Sequence, residues 1–96
     1  MNKKYELALI LKPDLSEEIF NSEMENIKNM IDKSGAVIEK IDALGKKKLA
    51  YKIKKFSEGN YNFIIFSAES NIPAILESKL RINENVIRFL IVSHEN

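Results

Sequence analysis

The sequence predicts an α+β fold in which four strands and two helices follow one another in the order β-α-β-β-α-β. Three patterns in the 96 residues lead to this prediction. Near-continuous apolar runs lie towards the two ends, a long segment has apolar residues at helical spacing, and a central segment alternates lysines with apolar residues. A chain of this length forms one domain, so we expect a single unit over residues 1–96.

The first two predicted elements are a strand and a long helix. Residues 4–11 (KYELALIL) are apolar at almost every position, which is typical of a strand buried on both faces. Pro13 ends this strand, and Ser16 then provides a good N-cap for a helix. Gly35 is placed to end that helix in a left-handed turn. The apolar residues between these limits fall at helical spacing: Phe20, Met24, Ile27 and Ile31.

Two strands are predicted in the middle of the chain. Residues 36–44 indicate a strand that Gly45 interrupts, either as a bulge or as a bend. Strict alternation then resumes in residues 48–54 (KLAYKIK). We expect a turn at residues 56–60 (FSEGN), followed by a third strand of the buried type at residues 61–68.

A short helix and a last strand complete the order. Ser70 or Asn71 is expected to cap the helix, with Pro73 in its first turn, and residues 86–92 (VIRFLIV) form the last strand. This order is that of the split βαβ, or ferredoxin-like, arrangement. Because βαβ crossovers are right-handed, both helices should cover one face of a four-stranded antiparallel sheet. The other face is left for solvent or a partner.

The net charge of +1 conceals a separation of sign along the chain. Six of the ten residues 46–55 are lysines, whereas residues 14–32 contain six acids and one base. Two interpretations of the lysines stay open. They protect an edge strand from aggregation, or they form a strip in which each lysine neutralises a phosphate. Four further cations are candidates to extend such a strip: Lys3, Lys4, Arg81 and Arg88.

The composition argues against several kinds of chemistry. Without cysteine the chain has no disulfides, thiolate ligands or cysteine nucleophiles. His94 is the only histidine and lies near the end of the chain, so we expect a solvated residue. No cluster has metal-ligand spacing and no glycine-rich loop is present. We therefore expect no catalytic residues, no metal, no cofactor and no small-molecule substrate. An acylphosphatase-like enzyme with this strand order needs an anion-binding loop where the chain has the acidic KPDLSEE.

The aromatic residues and apolar runs bear on partners and location. We expect Phe63, Phe66 and Phe89 to lie in the core rather than to stack on bases. The third strand, GNYNFIIF, lacks the basic-Gly-aromatic pattern of RNA-recognition modules, so the sheet is not expected to read single-stranded bases. No stretch approaches the roughly 20 apolar residues of a membrane span. We expect a cytoplasmic protein with no membrane partner.

Four segments carry a family resemblance: KKYELALILKPDLSEE, LGKKKLAYKIKK, GNYNFIIF and LRINENVIRFLIV. In this order and spacing they resemble the family of the sixth protein of the bacterial small ribosomal subunit, over essentially the whole chain. The patterns LG-basic-basic-LAY and LR-x-x-x-NV-x-R are the most specific parts of the resemblance.

The resemblance implies a ferredoxin-like, non-enzymatic constituent of the small ribosomal subunit, located in the cytoplasm on the ribosome. It implies binding to 16S ribosomal RNA in the central domain, or platform. The eighteenth small-subunit ribosomal protein would be the heterodimer partner during assembly. Lys47 and Lys48 match the paired basic positions of the family, where arginine is common, and Lys52 stands where proline is usual. The predicted RNA contacts are Lys3, Lys4, Lys46, Lys47, Lys48, Lys52, Arg81 and Arg88.

Two alternatives without an RNA role stay open. One is a ferredoxin-like interaction module that self-associates through its open face, with lysines that only keep it in solution. The other is a small-ligand regulatory domain, which should present a glycine-bearing loop beside its helix. The segment from Pro13 to Leu15 is not such a loop. Both alternatives predict weak and non-selective binding to RNA.

Overall fold

A computed structural model describes residues 2–93 and has the predicted order of elements. The four strands form one antiparallel sheet in the spatial order β2-β3-β1-β4. This arrangement confirms the ferredoxin-like fold. The elements are β1 (Lys3–Leu11), α1 (Glu17–Lys33), β2 (Val37–Ile53), β3 (Phe56–Ala68), α2 (Ile72–Arg81) and β4 (Val86–Ser93).

The core lies between the two helices and one face of the sheet. On β1 every second side chain is buried, and the buried set faces Phe66 and Ile64 of β3. The helices complete this core with five buried side chains: Met24, Ile27, Ile31, Leu76 and Leu80. The prediction that β1 is buried on both faces is wrong. Its second face is only half-buried, because both helices pack on the first.

The helix ends follow local rules with one exception. The hydroxyl of Ser16 accepts a hydrogen bond from the Ile19 N–H over 3.2 Å, as an N-cap should. Gly35 has φ +95°, which confirms the predicted left-handed turn. Asn71 occupies the N-cap position of α2, but its side chain makes no capping hydrogen bond. The proline in the first turn of α2 is where the sequence predicted it.

The hairpin between β2 and β3 is longer than predicted. Its turn is made by Lys54 and Lys55, with φ of +51° and +73°, so the predicted turn at residues 56–60 is wrong. Positive φ at both central residues is the requirement of the tight hairpin turn that follows the right-handed twist of strands. Gly59 instead lies inside β3. A Cβ there would clash with Cγ2 of Ile10, so this glycine provides space rather than a turn.

Bulges bend this long hairpin. The pairing of β2 with β3 shifts between Ala43 and Gly45, and Gly45 has φ +82°. The sequence predicted a bulge or a bend at this glycine, and the shift identifies it as a bulge. Two further shifts lie between Ile38 and Lys40 and, close to the turn, between Lys48 and Ile53. A bulge bends its strand and increases the local twist, so these shifts favour a hairpin that is not a flat extension of the sheet.

Candidate nucleic-acid interface

The part of the hairpin that extends beyond β1 is strongly basic. β1 ends at Leu11, whose partner on β3 is Asn60, so residues 46–60 form an arm beyond that point. This hairpin arm contains six lysines and a single acid, Glu58. The three ion pairs between side chains of residues 2–93 involve none of the arm lysines. The positive charge of the arm is therefore available to an anionic partner.

The three consecutive lysines do not form one flat strip. Lys46, Lys47 and Lys48 are each exposed, and they pair in turn with Asn60, Gly59 and Glu58. Because neighbouring residues of a strand point to opposite faces, Lys47 lies on one side of the arm and the other two lie on the opposite side. Lys52 is exposed further along the same strand. A nucleic acid could thus contact the arm from either side, with different lysines on each.

The position of β2 in the sheet also fits the other interpretation of the lysines, which is that they protect an edge strand from aggregation. β2 is an edge strand of the sheet, and lysines on an edge discourage pairing with other chains. This role is compatible with phosphate binding, because both need exposed and unpaired ammonium groups. The position of the strand alone does not choose between the two interpretations.

The end of the arm crosses the end of β1 and contacts β4. The ammonium group of Lys54 donates a hydrogen bond to the carbonyl oxygen of Val86 over 3.4 Å. The guanidinium of Arg88 donates to the hydroxyl of Tyr51 over 3.0 Å. These contacts bring the middle of the lysine-rich segment together with an arginine that lies 37 residues away from Tyr51 in sequence.

A pocket of about 220 Å³ lies where the arm meets β4 and the end of α2. Three cations line this basic pocket, namely Lys54, Arg81 and Arg88. None of them takes part in the ion pairs of residues 2–93. The remaining lining is apolar: Leu80, Val86, Ile87 and Phe89. Three like charges around one cavity attract an anion, and the small volume suits a single charged group rather than a whole small molecule.

The two N-terminal lysines lie elsewhere. Lys3 and Lys4 pair with Ala68 and Ser67, at the end of β3 opposite to the arm. Position 67 is eight residues from Gly59 along the strand, which is about 26 Å at about 3.3 Å per residue. Lys4 also forms an ion pair with Glu39, with 3.2 Å between Nζ and Oε1. The structure thus unites Arg81 and Arg88 with the arm and separates Lys3 and Lys4 from it.

The face of the sheet opposite the helices is partly apolar. Val37, Leu90 and Val92 expose 58%, 54% and 44% of their surface. Phe63 also lies on this open face, since its partner is Ala8 on the half-buried side of β1. The prediction that Phe63 belongs to the core is therefore wrong. Phe66 is fully buried and Phe89 packs against the core, as predicted.

Other predicted features concern chemistry and membranes. Within residues 2–93 no group of three or more His, Asp or Glu side chains could hold a metal ion. In the same range no helix is long and apolar enough to cross a membrane. His94 lies outside the described residues.

Sequence reasoning missed two contributors to this region. Lys54 was visible only as one of six lysines, because its place at the turn depends on the true length of the hairpin. Glu23 of α1 accepts hydrogen bonds from Asn83 and Asn85 in the loop before β4. These partners lie 60 and 62 residues away, so no local pattern could have revealed the contact.

Comparison with known proteins gives a consistent result. The family model described as ribosomal protein S6 matches residues 4–93. Small ribosomal subunit protein bS6 of Campylobacter jejuni is 52% identical over 94 residues, covering 98% of this chain and 75% of that protein. The protein of the same name from Clostridium kluyveri is 45% identical over 92 residues, covering 96% of this chain and 97% of that one.

Solved structures agree with this result. The crystal structure of 30S ribosomal protein S6 from Thermotoga maritima has a TM-score of 0.92 and 30% identity, and the match covers 98% of this chain and 89% of that one. The P2 domain of the chemotaxis kinase CheA from the same organism has a TM-score of 0.67 at 11% identity, which shows a shared fold alone. Fold and relatives together define a structural, rather than catalytic, constituent of the small ribosomal subunit. The chain belongs to the ribosomal protein S6 family.

Proposed function

We propose that this chain binds 16S ribosomal RNA in the central domain through its hairpin arm and basic pocket. It does so as one ferredoxin-like domain, with the eighteenth small-subunit protein as heterodimer partner, on ribosomes in the cytoplasm. The observation that supports the proposal is the charge of the hairpin arm. The arm contains six lysines and one acid, and its lysines take no part in the ion pairs of residues 2–93.

The arm suits contact with the phosphate backbone rather than with bases. Lysine ammonium groups act as compact point charges, and each phosphate that they neutralise releases a counterion. Phosphate contacts fix orientation but carry no sequence information. Specificity is then left to the shape of the folded RNA and to the protein partner.

The open face is the surface we assign to the partner. It combines the exposed Val37, Leu90 and Val92 with the half-buried Phe63. Apolar side chains grouped on one face often indicate a protein interaction site. Arg88 lies on this face beside Leu90, and the arm is at one end of the sheet, so RNA and protein can bind to adjacent parts of the molecule.

A triple variant tests the RNA contacts. Lys46→Ala, Lys47→Ala and Lys48→Ala together should leave the fold intact, because all three side chains are exposed. Affinity for a central-domain RNA fragment should fall. The slope of log affinity against log salt should become shallower by about 2, since each phosphate contact contributes about 0.7 to 0.9.

A second triple variant is the control for charge alone. Lys28→Ala, Lys33→Ala and Lys40→Ala remove the same charge outside the arm, from α1 and from the opposite end of β2. This control should retain most of the affinity and the wild-type slope. Equal losses in both variants, or no loss in the arm variant, would contradict the proposal.

A further inference from the structure

Glu23 of the acidic helix α1 makes two hydrogen bonds to the loop between α2 and β4. Both carboxylate oxygens of Glu23 are engaged: Oε2 accepts from the Asn85 amide over 2.9 Å, and Oε1 accepts from the Asn83 amide. The three side chains are half-buried. We call this pair of hydrogen bonds, from Asn83 and Asn85 to Glu23, the clamp. Hydrogen bonds to an ionised group are stronger than those between neutral groups, so the clamp holds the loop against α1.

The same loop is fixed by hydrogen bonds of its own backbone. The side-chain oxygen of Asn83 accepts from the Asn85 N–H over 2.9 Å, and the Asn83 N–H donates to Leu80 over 3.1 Å. The carbonyl of Asn85 accepts from the Lys12 N–H over 3.0 Å. The loop is thereby tied to α1, to the end of α2 and to the segment after β1.

The loop separates two cations of the basic pocket. Arg81 is the last residue of α2, Arg88 is the third residue of β4, and the clamped residues lie between them. Fixing the loop therefore fixes the backbone positions from which the two guanidinium groups reach the pocket. We propose that Glu23 is a positioning residue that holds Arg81 and Arg88 at the spacing needed to bind one RNA phosphate. This inference rests on the proposed function.

Removing the charge of Glu23 distinguishes a positioning role from a purely electrostatic one, because the two roles predict opposite changes in RNA affinity. If Glu23 were only an acid on the surface, Glu23→Gln would tighten RNA binding by removing a repulsive charge. As a positioning residue it should do the reverse. The glutamine oxygen can accept from one asparagine, whereas its NH₂ group is a donor and cannot accept from the other.

The experiment measures affinity for a central-domain 16S RNA fragment, with the eighteenth protein present, at two salt concentrations. We expect Glu23→Gln to weaken binding about fivefold and to make the salt slope shallower. The matched control is Glu18→Gln on the same helix, which removes one exposed acid and should leave affinity unchanged or slightly tighter. Asn85→Ala removes one of the two hydrogen bonds to Glu23 without changing the charge of the protein, and it should also weaken RNA binding.

A double-variant comparison shows whether the effect acts through the pocket. In a background with Arg81→Ala and Arg88→Ala, Glu23→Gln should have no further effect on affinity. The inference would be overturned if Glu23→Gln left RNA binding unchanged or tighter, or if it weakened binding just as much in the background without the two arginines. If either result were found while the triple variant of Lys46, Lys47 and Lys48 still lost affinity, the proposed function would stand without the clamp. Failure of the wild-type protein to bind the RNA would overturn both.

Discussion

The guanidinium of Arg88 and the hydroxyl of Tyr51 form a hydrogen bond of 3.0 Å that links β4 to the hairpin arm. β2 and β4 are the two edge strands of the sheet, so this bond joins opposite edges across the end of β1. It also fixes the direction of a guanidinium that lines the basic pocket. The arm is therefore held against the body of the protein as part of one basic surface.

Removal of the phenolic hydroxyl tests this link. Tyr51→Phe leaves the Arg88 guanidinium without its acceptor on the arm, so the guanidinium should sample more orientations. Because the pair is exposed, we expect less than about 1 kcal/mol of lost stability. We expect RNA affinity to fall two- to fivefold. Thermal denaturation and RNA titration measure the two effects, and Tyr61→Phe on β3 is the control. A loss of stability without a loss of affinity would show that the link has no part in RNA binding.

The tight packing beside Gly59 should make this position intolerant of any side chain. A Cβ there would clash with Cγ2 of Ile10 and contact Leu49. Overpacking of this kind costs about 1–3 kcal/mol, and we expect Gly59→Ala to fall in that range. In a background with Ile10→Ala the same substitution should cost much less. Denaturant unfolding of the two single variants and the double variant measures this coupling, and simple additivity would contradict the account.

The turn of the hairpin stores backbone strain at a lysine. Lys55 has φ +73°, a conformation that costs about 1–2 kcal/mol for residues other than glycine. Allowing for the greater chain entropy of glycine, Lys55→Gly should stabilise the fold by about 0.5–1 kcal/mol. Lys55→Ala is the matched control, since it removes the charge and keeps the strain. Equal unfolding midpoints for the two variants would indicate that the turn adopts another conformation in solution.

A charge on the open face should block the partner and leave the fold intact. Leu90 is about half exposed, so Leu90→Asp should cost no more than about 1 kcal/mol of stability. Association with the eighteenth protein should be lost, because an unpaired carboxylate would be buried in the interface. Ile19→Asp places the same charge on an equally exposed position of α1 and should bind normally. Sedimentation or calorimetry distinguishes the two variants. Equal binding by both would assign the partner to another surface.

The helices and the order of elements were predictable because their signals are local. The apolar spacing in α1, the hydroxyl of Ser16 and the glycine at position 35 each act within a few residues. Local sterics and hydrogen bonds then dominate, and the sequence displays them directly. Both ends of α1 and the bulge at Gly45 agree with the structure for this reason.

The hairpin and the pocket were not predictable in the same way. Residues 56–60 have the composition of a turn, but Gly59 is required by its contact with Ile10, which is distant in sequence. The actual turn at Lys54 and Lys55 lacks the asparagine and glycine that usually mark one. The clamp of Glu23 depends on tertiary contacts over 60 residues. The sequence identified Arg81 and Arg88 as candidate RNA contacts, but only the fold places them around one cavity.

Binding of the wild-type protein to a central-domain fragment of 16S ribosomal RNA tests the proposed interface most directly. The titration is carried out with and without the eighteenth small-subunit protein, at two salt concentrations. We expect tight, salt-sensitive binding that appears only when the partner is present. Weak binding that does not respond to the partner would contradict this expectation, and would leave the six lysines of the hairpin arm as protection for an edge strand.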